Sequence, residues 1–497
     1  MFMTSFINKY STYRLMLYFL RVIIAVAIIL SFFGVLPYNW WHLLITALVL
    51  PPLSAVFNKI FAKITGASPN YESQYITANI LTLIVGPLNP LQDWPVLLFL
   101  AIVSQLVKYV FVYRKSHFLN PAAITILLAG LMLNQGASWW VGDPYLVALT
   151  VAGGLIIAYK LRWFHLINSF LATYVILFFI NGLISGLGLD DIFLNLSTLV
   201  RFSALAFFIF VMLPEPITAP KGRSQRIAYG MLGAFVFIFL PKLFPAFPYP
   251  LETSLLLGNL LAFAISRNFK TNFALISKAK LNASVYMFAF EPAYKFAFQP
   301  GQFLEWTLPH KHDRRGVRRY MTIASSPTEK NILLVTRMAE DGSSFKKELA
   351  SLAPKTKVVA GNLDGEFTLP KNYKRCVFVA GGIGITPYRS IIRYLLDIQN
   401  QTYDITLVYV LRSADDLIFR DLWQEAQEKL KFGLKTIVSA ENQNFDSEFV
   451  EKNVHDYQRA CFYLSGPPGM VESYQTILKK IGIKKNRIKT DFFPGYN

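Results

Sequence analysis

The chain has 497 residues, of which 54% are hydrophobic, and a formal net charge of +19. That charge is +10 in residues 1–270 and +9 in residues 271–497, with no basic stripe interleaved with aromatic residues, so nucleic-acid binding is not expected. Cys376 and Cys461 are the only cysteines. Two cysteines are too few for an iron–sulfur cluster held by this chain alone, since such clusters take about four ligands. We expect both cysteines to be buried core thiols.

The density of charged residues changes near Lys270. Residues 1–270 contain 24 Asp, Glu, Lys and Arg, whereas residues 271–497 contain 55. The first part is therefore suited to lipid and the second to water. We predict a multi-domain chain, with a polytopic α-helical membrane domain in residues 1–270, an antiparallel β-barrel in residues 271–374 and a parallel-sheet α/β domain in residues 375–497.

About ten apolar stretches in the first part are candidate spans of a hydrocarbon core about 30 Å thick. Basic residues in the N-terminal arm, around residues 221–226 and after the last span predict that these loops lie in the cytoplasm. We expect a multi-pass protein of a bacterial inner membrane whose C-terminal part is cytoplasmic. The stretches begin near Leu15, Trp41, Ile76, Trp94, Phe118, Tyr145, Phe164, Leu199, Ile227 and Thr253.

Two of these stretches, Thr77–Leu88 and Phe118–Leu133, are short or interrupted by polar residues. Broken helices usually surround a site inside a bundle, which makes Asn79 and Asn120 candidate ligand-binding residues. Asn120, which precedes a proline, would equally serve as the cap of a half-helix. Glu215 lies beside a basic loop and would equally form a surface ion pair.

Several segments of the membrane half form a recognisable set: Lys108, residues 118–123 (FLNPAA), residues 215–220 (EPITAP), Gly222, Arg223, Tyr229 and Gly230. This set resembles one flavoprotein family, which comprises the B subunit of the sodium-translocating NADH:quinone reductase and the D subunit of the Rnf electron-transport complex. The family's attachment threonine for FMN has no counterpart, because the nearest string, residues 185–188, lacks a threonine. A second, noncovalent flavin (FMN or riboflavin) or a quinone near Asn79 and Asn120 is the carrier that remains, because neither a haem nor an iron–sulfur cluster is expected.

The second half begins with short β-rich runs separated by Pro, Gly and charged turns, which predict a small antiparallel barrel. These runs are Ser284–Phe290, Tyr294–Phe298, Phe303–Leu308 and Ile332–Arg337. After Lys374, short apolar strands alternate with helical segments, which is typical of a parallel α/β domain. The strands are Cys376–Ala380, Ile405–Val410, Thr436–Ser439 and Cys461–Leu464, and the helices are Pro387–Ile398 and Leu417–Leu430.

The barrel carries groups suited to a dinucleotide flavin. The guanidinium of Arg319 can pair with a pyrophosphate, and Thr322 can hydrogen-bond a flavin ring. Gly342, Ser343 and Ser344 open a predicted helix whose free N–H groups can receive the same anion. Tyr320 and Met321 complete this candidate flavin site.

A glycine-rich turn follows the first α/β strand. Gly381, Gly382 and Gly384 let the backbone approach a pyrophosphate, and Thr386 and Pro387 begin the next helix. A second turn with Ser465, Gly466 and Pro467 follows a later strand. Arg412, just past another strand, can contact an adenosine ribose; an exposed loop arginine without a ligand is equally plausible.

Residues 282–497 resemble the ferredoxin–NADP⁺ reductase superfamily, which binds FAD and NADH or NADPH. The resemblance assigns the family's flavin motif to Arg319, Met321 and Thr322, and hydride transfer to the surroundings of Thr322 and Ser465. Met321 replaces the usual aromatic ring and Ser465 the usual cysteine. Tyr496, near the chain end, would place an aromatic ring over the flavin; hydrophobic docking of the chain end explains this segment equally well.

The combination predicts an NAD(P)H-dependent FAD oxidoreductase that passes electrons through or into the membrane domain. Its acceptor is then a flavin, a quinone or an extracytoplasmic partner such as a flavinylated protein. Haem is not expected, because His42, His117 and His165 are not spaced as paired ligands, and no metal site is predicted. The alternatives are a redox-driven ion transporter and a cytosolic reductase that is merely anchored in the lipid.

Overall fold

The structure, a computed structural model, divides into two compact units, Met1–Phe269 and Lys270–Asn497, which are described separately. It describes residues 10–67, 71–202, 204–246, 249–311, 313, 315–338, 342–370, 372–441 and 443–491. The prediction for Tyr496 lies outside the described residues.

The described residues of the first unit are mainly helical. Helices α1 to α11 are Thr12–Phe32, Trp40–Thr65, Tyr71–Val85, Trp94–Val110, Pro121–Leu133, Pro144–Leu161, Phe164–Ile184, Leu189–Phe202, Leu205–Phe207, Arg223–Leu243 and Pro250–Ile265. A two-residue ladder joins β1 (Val112–Tyr113) to β2 (Ser116–His117) between α4 and α5.

By length and composition, five described helices could cross a membrane: α1, α2, α6, α7 and α10. Helices α4, α5 and α11 are apolar but shorter than a bilayer requires. The structure thus shows five candidate spans where the sequence predicted about ten. The stretch predicted from Leu199 does not continue as one helix, because α8 ends at Phe202 and a π-helical turn occupies Phe208–Met212.

The second unit begins with a six-stranded antiparallel sheet that forms a half-barrel, with strand order β6-β5-β8-β3-β4-β7. These strands are β3 (Lys270–Lys280), β4 (Val285–Pro292), β5 (Phe303–Thr307), β6 (Arg318–Thr322), β7 (Ile332–Arg337) and β8 (Lys357–Asp364), and helix α12 (Ser344–Ser351) precedes β8.

Three strands in this sheet, β3, β6 and β8, were not predicted, and one predicted strand is wrong. Strands β3 and β8 pair with each other near its centre. The predicted strand Tyr294–Phe298 has no ladder; it is a loop in which the Phe296 ring packs edge-on against Phe273, with the ring centroids 6.0 Å apart. Alternating aromatic residues therefore reflect ring packing here and not a strand.

A five-stranded parallel sheet follows, with order β11-β10-β9-β12-β13. The strands are β9 (Arg375–Gly381), β10 (Asp404–Leu411), β11 (Lys431–Val438), β12 (Cys461–Ser465) and β13 (Ile488–Thr490), and the helices between them are α13 (Thr386–Asp397), α14 (Arg420–Lys429), α15 (Ser447–Asn453) and α16 (Pro468–Lys480). Cys376 and Cys461 are buried register partners on adjacent strands.

The two sheets of this unit share one apolar core. Ala324 and Phe367 from the half-barrel side pack in the same buried cluster as Tyr388 and Ile391 of α13. Polar contacts join the same surfaces: the Ser390 hydroxyl donates to the Ser325 carbonyl at 2.6 Å. Helix α13 is therefore fixed against the half-barrel, which sets the position of the loop that precedes it.

Candidate functional site

The carboxyl ends of β9 and β12 meet where the strand order of the parallel sheet reverses. Strand β9 ends at Gly381 and β12 at Ser465, and the register pairs Ser465 with Ala380. In open α/β sheets, ligands bind outside the strand ends at such a switch point. The structure brings the two predicted glycine turns together there.

These two turns touch through their backbones. A Cβ atom on Gly384 would lie 2.2 Å from the Ser465 carbonyl oxygen, and one on Gly466 would lie 3.0 Å from the Gly381 Cα. A Cβ on Gly381 would meet Pro467 Cδ at 3.1 Å. Glycine at these positions therefore permits the turns to pack against each other.

Gly382 differs from its neighbours, because its Cα faces a more open space. Its φ is +52°, and the nearest atom to a Cβ there is Arg337 Nη2 at 3.9 Å. The Tyr409 hydroxyl donates to the Gly382 carbonyl at 3.1 Å, which fixes the turn. Thr386 and Pro387 then begin α13. The arrangement offers a glycine backbone and a guanidinium to a phosphate.

Ser465 has a carboxylate partner that the sequence did not reveal. Its hydroxyl donates to Asp491 Oδ2 at 2.9 Å, and the Asp491 amide donates to the Leu464 carbonyl at 2.9 Å. Ser465 is 2% exposed, so its orientation is set by this pair. Arg412 lies exposed at the end of β10.

On the half-barrel, Arg319 and the start of α12 converge on one anion, the Asp313 carboxylate. Asp313 Oδ1 accepts from Arg319 Nη2 at 3.2 Å, and Oδ2 accepts from the Ser344 amide at 3.2 Å. The Ser344 hydroxyl receives the Asp313 amide at 3.0 Å. Burial opposes ionisation, but the Arg315 amide and Arg319 hold the pKa of Asp313 below its ordinary value.

The two carboxylate oxygens of Asp313 each accept a hydrogen bond from one of these donors. Arg319 is 3% exposed, and its Nη1 also donates to the carbonyls of Arg315 and Gly316, both at 2.9 Å. The Phe345 ring lies under the guanidinium, whose central carbon is 5.3 Å from the ring centroid. Gly342 and Ser343 lead into the helix. These donors fit the pyrophosphate assigned to them from the sequence.

The remaining residues of the flavin motif lie on β6, an edge strand of the sheet. Thr322 is 7% exposed and pairs with Phe303, while Met321 is half-buried. Tyr320 contacts the Phe303 ring edge-on, with centroids 5.4 Å apart. Its hydroxyl also bonds Glu305, so Tyr320 faces the sheet's own carboxylate.

A basic cluster that the sequence did not reveal links the two candidate sites. Lys346 on α12 donates to the Arg337 carbonyl at 2.8 Å. Burial, and then the like charges of Arg315, Arg337 and Arg319, lower the pKa of Lys346. Four cations in one region of partly buried surface favour an anionic ligand. Their positions, spread over residues 315–346, give no local motif.

The first unit contains a pocket whose polar lining includes Asn120 and Glu215. Glu215 Oε2 accepts from Asn120 Nδ2 at 2.9 Å and from the Thr218 hydroxyl at 2.8 Å. His117 Nε2 lies 3.8 Å from Glu215 Oε1. Asn120 also caps α5, because its Oδ1 accepts from the Ala123 amide at 3.0 Å. This residue therefore both lines the pocket and caps a helix.

Asn79 does not line this pocket. It is 3% exposed, and its Nδ2 finds no hydrogen-bond partner among the described residues. Lys108, by contrast, donates to the Ser73 carbonyl at 3.0 Å, and Ser73 does line the pocket. The structure thus brings Asn120 and Glu215 together and leaves Asn79 apart.

Comparison with known proteins concerns the second unit. Residues 378–476 match the oxidoreductase NAD-binding domain family. The reductase component of propane 2-monooxygenase from Rhodococcus jostii is 27% identical over 227 residues, covering 41% of this chain and 57% of that protein. The Na⁺-translocating NADH-quinone reductase F subunit of Neisseria meningitidis is 29% identical over 212 residues, covering 38% and 52%. The chain thus spans little more than half of these curated relatives.

Solved structures also match part of this chain. The Amycolatopsis cytochrome P450 reductase GcoB has 23% identity and a TM-score of 0.41, covering 46% of this chain and 70% of that one. The ferredoxin-NADP⁺ reductase of Plasmodium falciparum has 18% identity and a TM-score of 0.39, covering 45% and 97%.

The C-terminal unit is thus of the nucleotide-dependent oxidoreductase class. More particularly, it contains a ferredoxin–NADP⁺ reductase-like NAD-binding domain, and its homologues include the F subunit of the Na⁺-translocating reductase and ferredoxin reductases. The apolar helices of the first unit fit a membrane domain.

Proposed function

We propose that this chain is a membrane-bound flavoprotein that oxidises NAD(P)H with FAD in its second unit and passes the electrons to an acceptor in the first. The observation that carries the proposal is the junction of the Gly381–Pro387 and Ser465–Pro467 turns at the switch point of the sheet, within the matched NAD-binding region. The proposed domains are residues 1–270, 271–374 and 375–497.

The half-barrel would hold the FAD. Arg319 and the Ser344 amide would receive its pyrophosphate in place of the Asp313 carboxylate. Thr322 would hydrogen-bond the ring system, with Met321 beside it. When bound, FAD supplies a group that takes a hydride from NAD(P)H and releases electrons singly.

The α/β domain would hold NAD(P)H. The Gly382 backbone and Arg337 would face its phosphates, and Arg412 would lie near a ribose. Ser465, oriented by Asp491, would border the nicotinamide. The chain's own contribution is to orient the nicotinamide and to exclude water from it.

The acceptor in the first unit is proposed to be a noncovalent flavin or a quinone in the pocket that contains Asn120 and Glu215. An amide and a carboxylate within one mostly apolar lining suit a ring with carbonyl and N–H groups. The similarity to a protein named as part of an NADH-quinone reductase supports quinone chemistry as the outcome of the reaction. An extracytoplasmic partner would be a later acceptor.

The proposed placement is a multi-pass protein of a bacterial inner membrane, with about ten crossings and a cytoplasmic second unit. Under the positive-inside rule, Lys221 marks a loop on the cytoplasmic side, and Arg14 and Arg226 mark helix ends on that side. Labelling of single introduced cysteines from either side of sealed vesicles tests this orientation.

The function is tested on the purified full-length protein by its absorption spectrum and by acid-released flavin. We expect FAD, a second flavin or bound quinone, and NADH- or NADPH-dependent reduction of a soluble quinone. Arg319→Lys should lose about 10-fold in FAD affinity, because a point charge cannot replace the planar fork, whereas the exposed Arg420→Lys should not. Purified protein that contains no FAD would contradict the proposal.

A second measurement distinguishes electron transfer to the proposed acceptor from NAD(P)H oxidation in the second unit. Glu215→Gln should reduce quinone turnover but leave NAD(P)H oxidation with a soluble dye intact. If deletion of the first unit leaves quinone turnover unchanged, that unit is an anchor. Ion flux in proteoliposomes during NADH oxidation would instead indicate a redox-driven transporter.

A further inference from the structure

A buried carboxylate lies in the helical unit outside the proposed acceptor pocket. Glu252, in the first turn of α11, is 3% exposed. Its Oε1 accepts a hydrogen bond from the indole Nε1 of Trp139 at 2.9 Å. The pocket lining that includes Glu215 contains neither residue. Ionisable side chains in apolar helical bundles are rare and commonly mark proton or ion pathways.

Trp139 is held in an unusual conformation by the segment that carries it. Its φ is 49° and ψ is 33°, a left-handed conformation that a bulky residue seldom adopts. The Trp139 amide donates to the Ile84 carbonyl at 3.0 Å, at the carboxyl end of α3. The indole is therefore aimed at Glu252 by backbone geometry that is itself unfavourable.

Among the described residues, no lysine, arginine or histidine forms an ion pair with Glu252. Helices α5 and α10 pack against α11, and α5 has no titratable side chain. The titratable side chains of α10 are Arg223, Arg226, Tyr229 and Lys242. Arg226 donates to the Pro220 carbonyl, Tyr229 bonds Asn259, and Lys242 contacts Asn181.

The other surroundings of Glu252 add little charge. Trp139 packs edge-on against Phe207, and residues 205–212 contain no titratable side chain. Tyr249, just before α11, packs its ring against Gly130 and Gly136. One indole donor and the amino end of α11 favour the carboxylate, whereas burial without a cation favours the neutral acid. The surroundings of Glu252 thus permit both the ionised carboxylate and the neutral acid.

We infer that Glu252 is a proton-exchange site of the helical unit, with Trp139 holding its carboxyl group in place. In this step a proton from water adds to a carboxylate oxygen, or leaves it, and no electron moves. The indole continues to donate to the carboxyl group in both forms. A metal cation is disfavoured, because Trp139 presents a donor where a cation needs a lone pair.

The same helix connects this site to the pocket. Asn259 lies seven residues after Glu252, about 10 Å further along α11 at ~1.5 Å per residue. Asn259 Oδ1 accepts from the Asn120 amide at 2.9 Å, and Asn120 bonds Glu215. Helix α11 therefore carries both Glu252 and a side chain that bonds Asn120, the hydrogen-bond partner of Glu215.

The test is tryptophan fluorescence of the full-length protein in lipid nanodiscs, without NAD(P)H, titrated from about pH 5 to about pH 9. Subtraction of the Trp139→Phe spectrum isolates Trp139. We expect one titration step in the wild-type difference signal and its loss in Glu252→Gln. Glutamine is isosteric and its oxygen still accepts the indole N–H, so this variant keeps the fold.

Infrared difference spectra between acid and alkaline pH give a second readout that needs no tryptophan variant. The protonated-carboxyl band should lose one component in Glu252→Gln and keep that component in Glu215→Gln. A fluorescence step that persists in Glu252→Gln, or its absence from the wild type, overturns the inference. So does a carboxyl band that is identical in the wild type and in Glu252→Gln. Addition of Na⁺ at constant pH should leave the signal unchanged; a Na⁺-dependent shift would indicate a cation site instead.

Discussion

The Asp313 carboxylate joins Arg319 to the first turn of the helix that begins at Ser344, with both donors 3.2 Å from its oxygens. The protein thereby satisfies, with its own side chain, the two donors that we propose for the flavin pyrophosphate. In that proposal, Asp313 withdraws when FAD binds.

The first prediction concerns this competition. Asp313→Asn should tighten FAD binding several-fold, about 1 kcal/mol. The neutral amide binds Arg319 more weakly than the carboxylate does and therefore competes less with the FAD pyrophosphate. Flavin fluorescence quenching during titration of the flavin-free protein measures the dissociation constant. Glu291→Gln removes a carboxylate from an exposed pair with Lys330 and serves as the control. Weaker FAD binding in Asp313→Asn would show that Asp313 instead orients Arg319.

The second prediction concerns the contact between the two turns. In Gly384→Ala the new Cβ would lie 2.2 Å from the Ser465 carbonyl oxygen, so one turn must move. We expect at least a ~10-fold loss of NAD(P)H-dependent turnover with FAD content unchanged, because displacement of a positioning group by about 1 Å has effects of this size. Gly433→Ala, where no atom lies within 4 Å, should retain activity. Equal turnover in both variants would show that the contact between the turns does not position the nucleotide.

The third prediction concerns the joint between the two sheets. Arg389 Nη2 donates to Glu329 Oε1 at 2.8 Å, and Nη1 donates to the Ala324 carbonyl at 3.0 Å. Arg389→Gln leaves Glu329 unpaired in a partly buried place and should destabilise the unit by about 2 kcal/mol, or about 5 °C in melting temperature. Lys330→Gln breaks the exposed pair with Glu291 and should change the melting temperature by less than about 1 °C. Thermal scans of the flavin-containing protein distinguish them.

The fourth prediction concerns pH. Because the pKa of Lys346 is lowered in the folded protein, the unfolded state binds this proton more tightly, and the folded state gains stability as the pH rises through the lowered pKa toward about 10.4. Lys346→Met should remove this gain, raise the melting temperature of the flavin-free protein at neutral pH, and weaken FAD binding. The exposed neighbour Lys347→Met should do none of these. A lower melting temperature in Lys346→Met would contradict the expected repulsion.

The sequence predicts β9, β10 and β12 closely because these strands are mostly buried and form apolar runs. It misses β13, whose three residues are all partly exposed, and the more exposed first part of β11. Strand β3 was not predicted because it begins at Lys270, and basic residues at this point are typical of a loop that follows a membrane span. Its buried and partly exposed positions alternate only over Lys270–Leu275. Strand β8 contains a Gly-Asn pair, Gly361 and Asn362, which is typical of a turn.

The residues of the candidate site also divide into those that the sequence predicts and those that it does not. Local motifs indicate Arg319, Gly384 and Ser465. Asp313, Arg337, Lys346 and Asp491 were not predicted, since each acquires its role only when distant segments meet. Asp491 reaches Ser465 from 26 residues away, and Glu252 meets Trp139 across 113 residues. No spacing rule connects such pairs, so only the folded chain reveals them.

The backbone contact between Gly384 and Ser465 has a consequence for how this nucleotide site can change. Neither turn can acquire a bulkier residue at the contact unless the other retreats, so the two segments should evolve as one inherited unit. Transplanting the segment after β9 from a relative without its partner after β12 should therefore yield a poorly fitting chimera, and paired exchange should restore it.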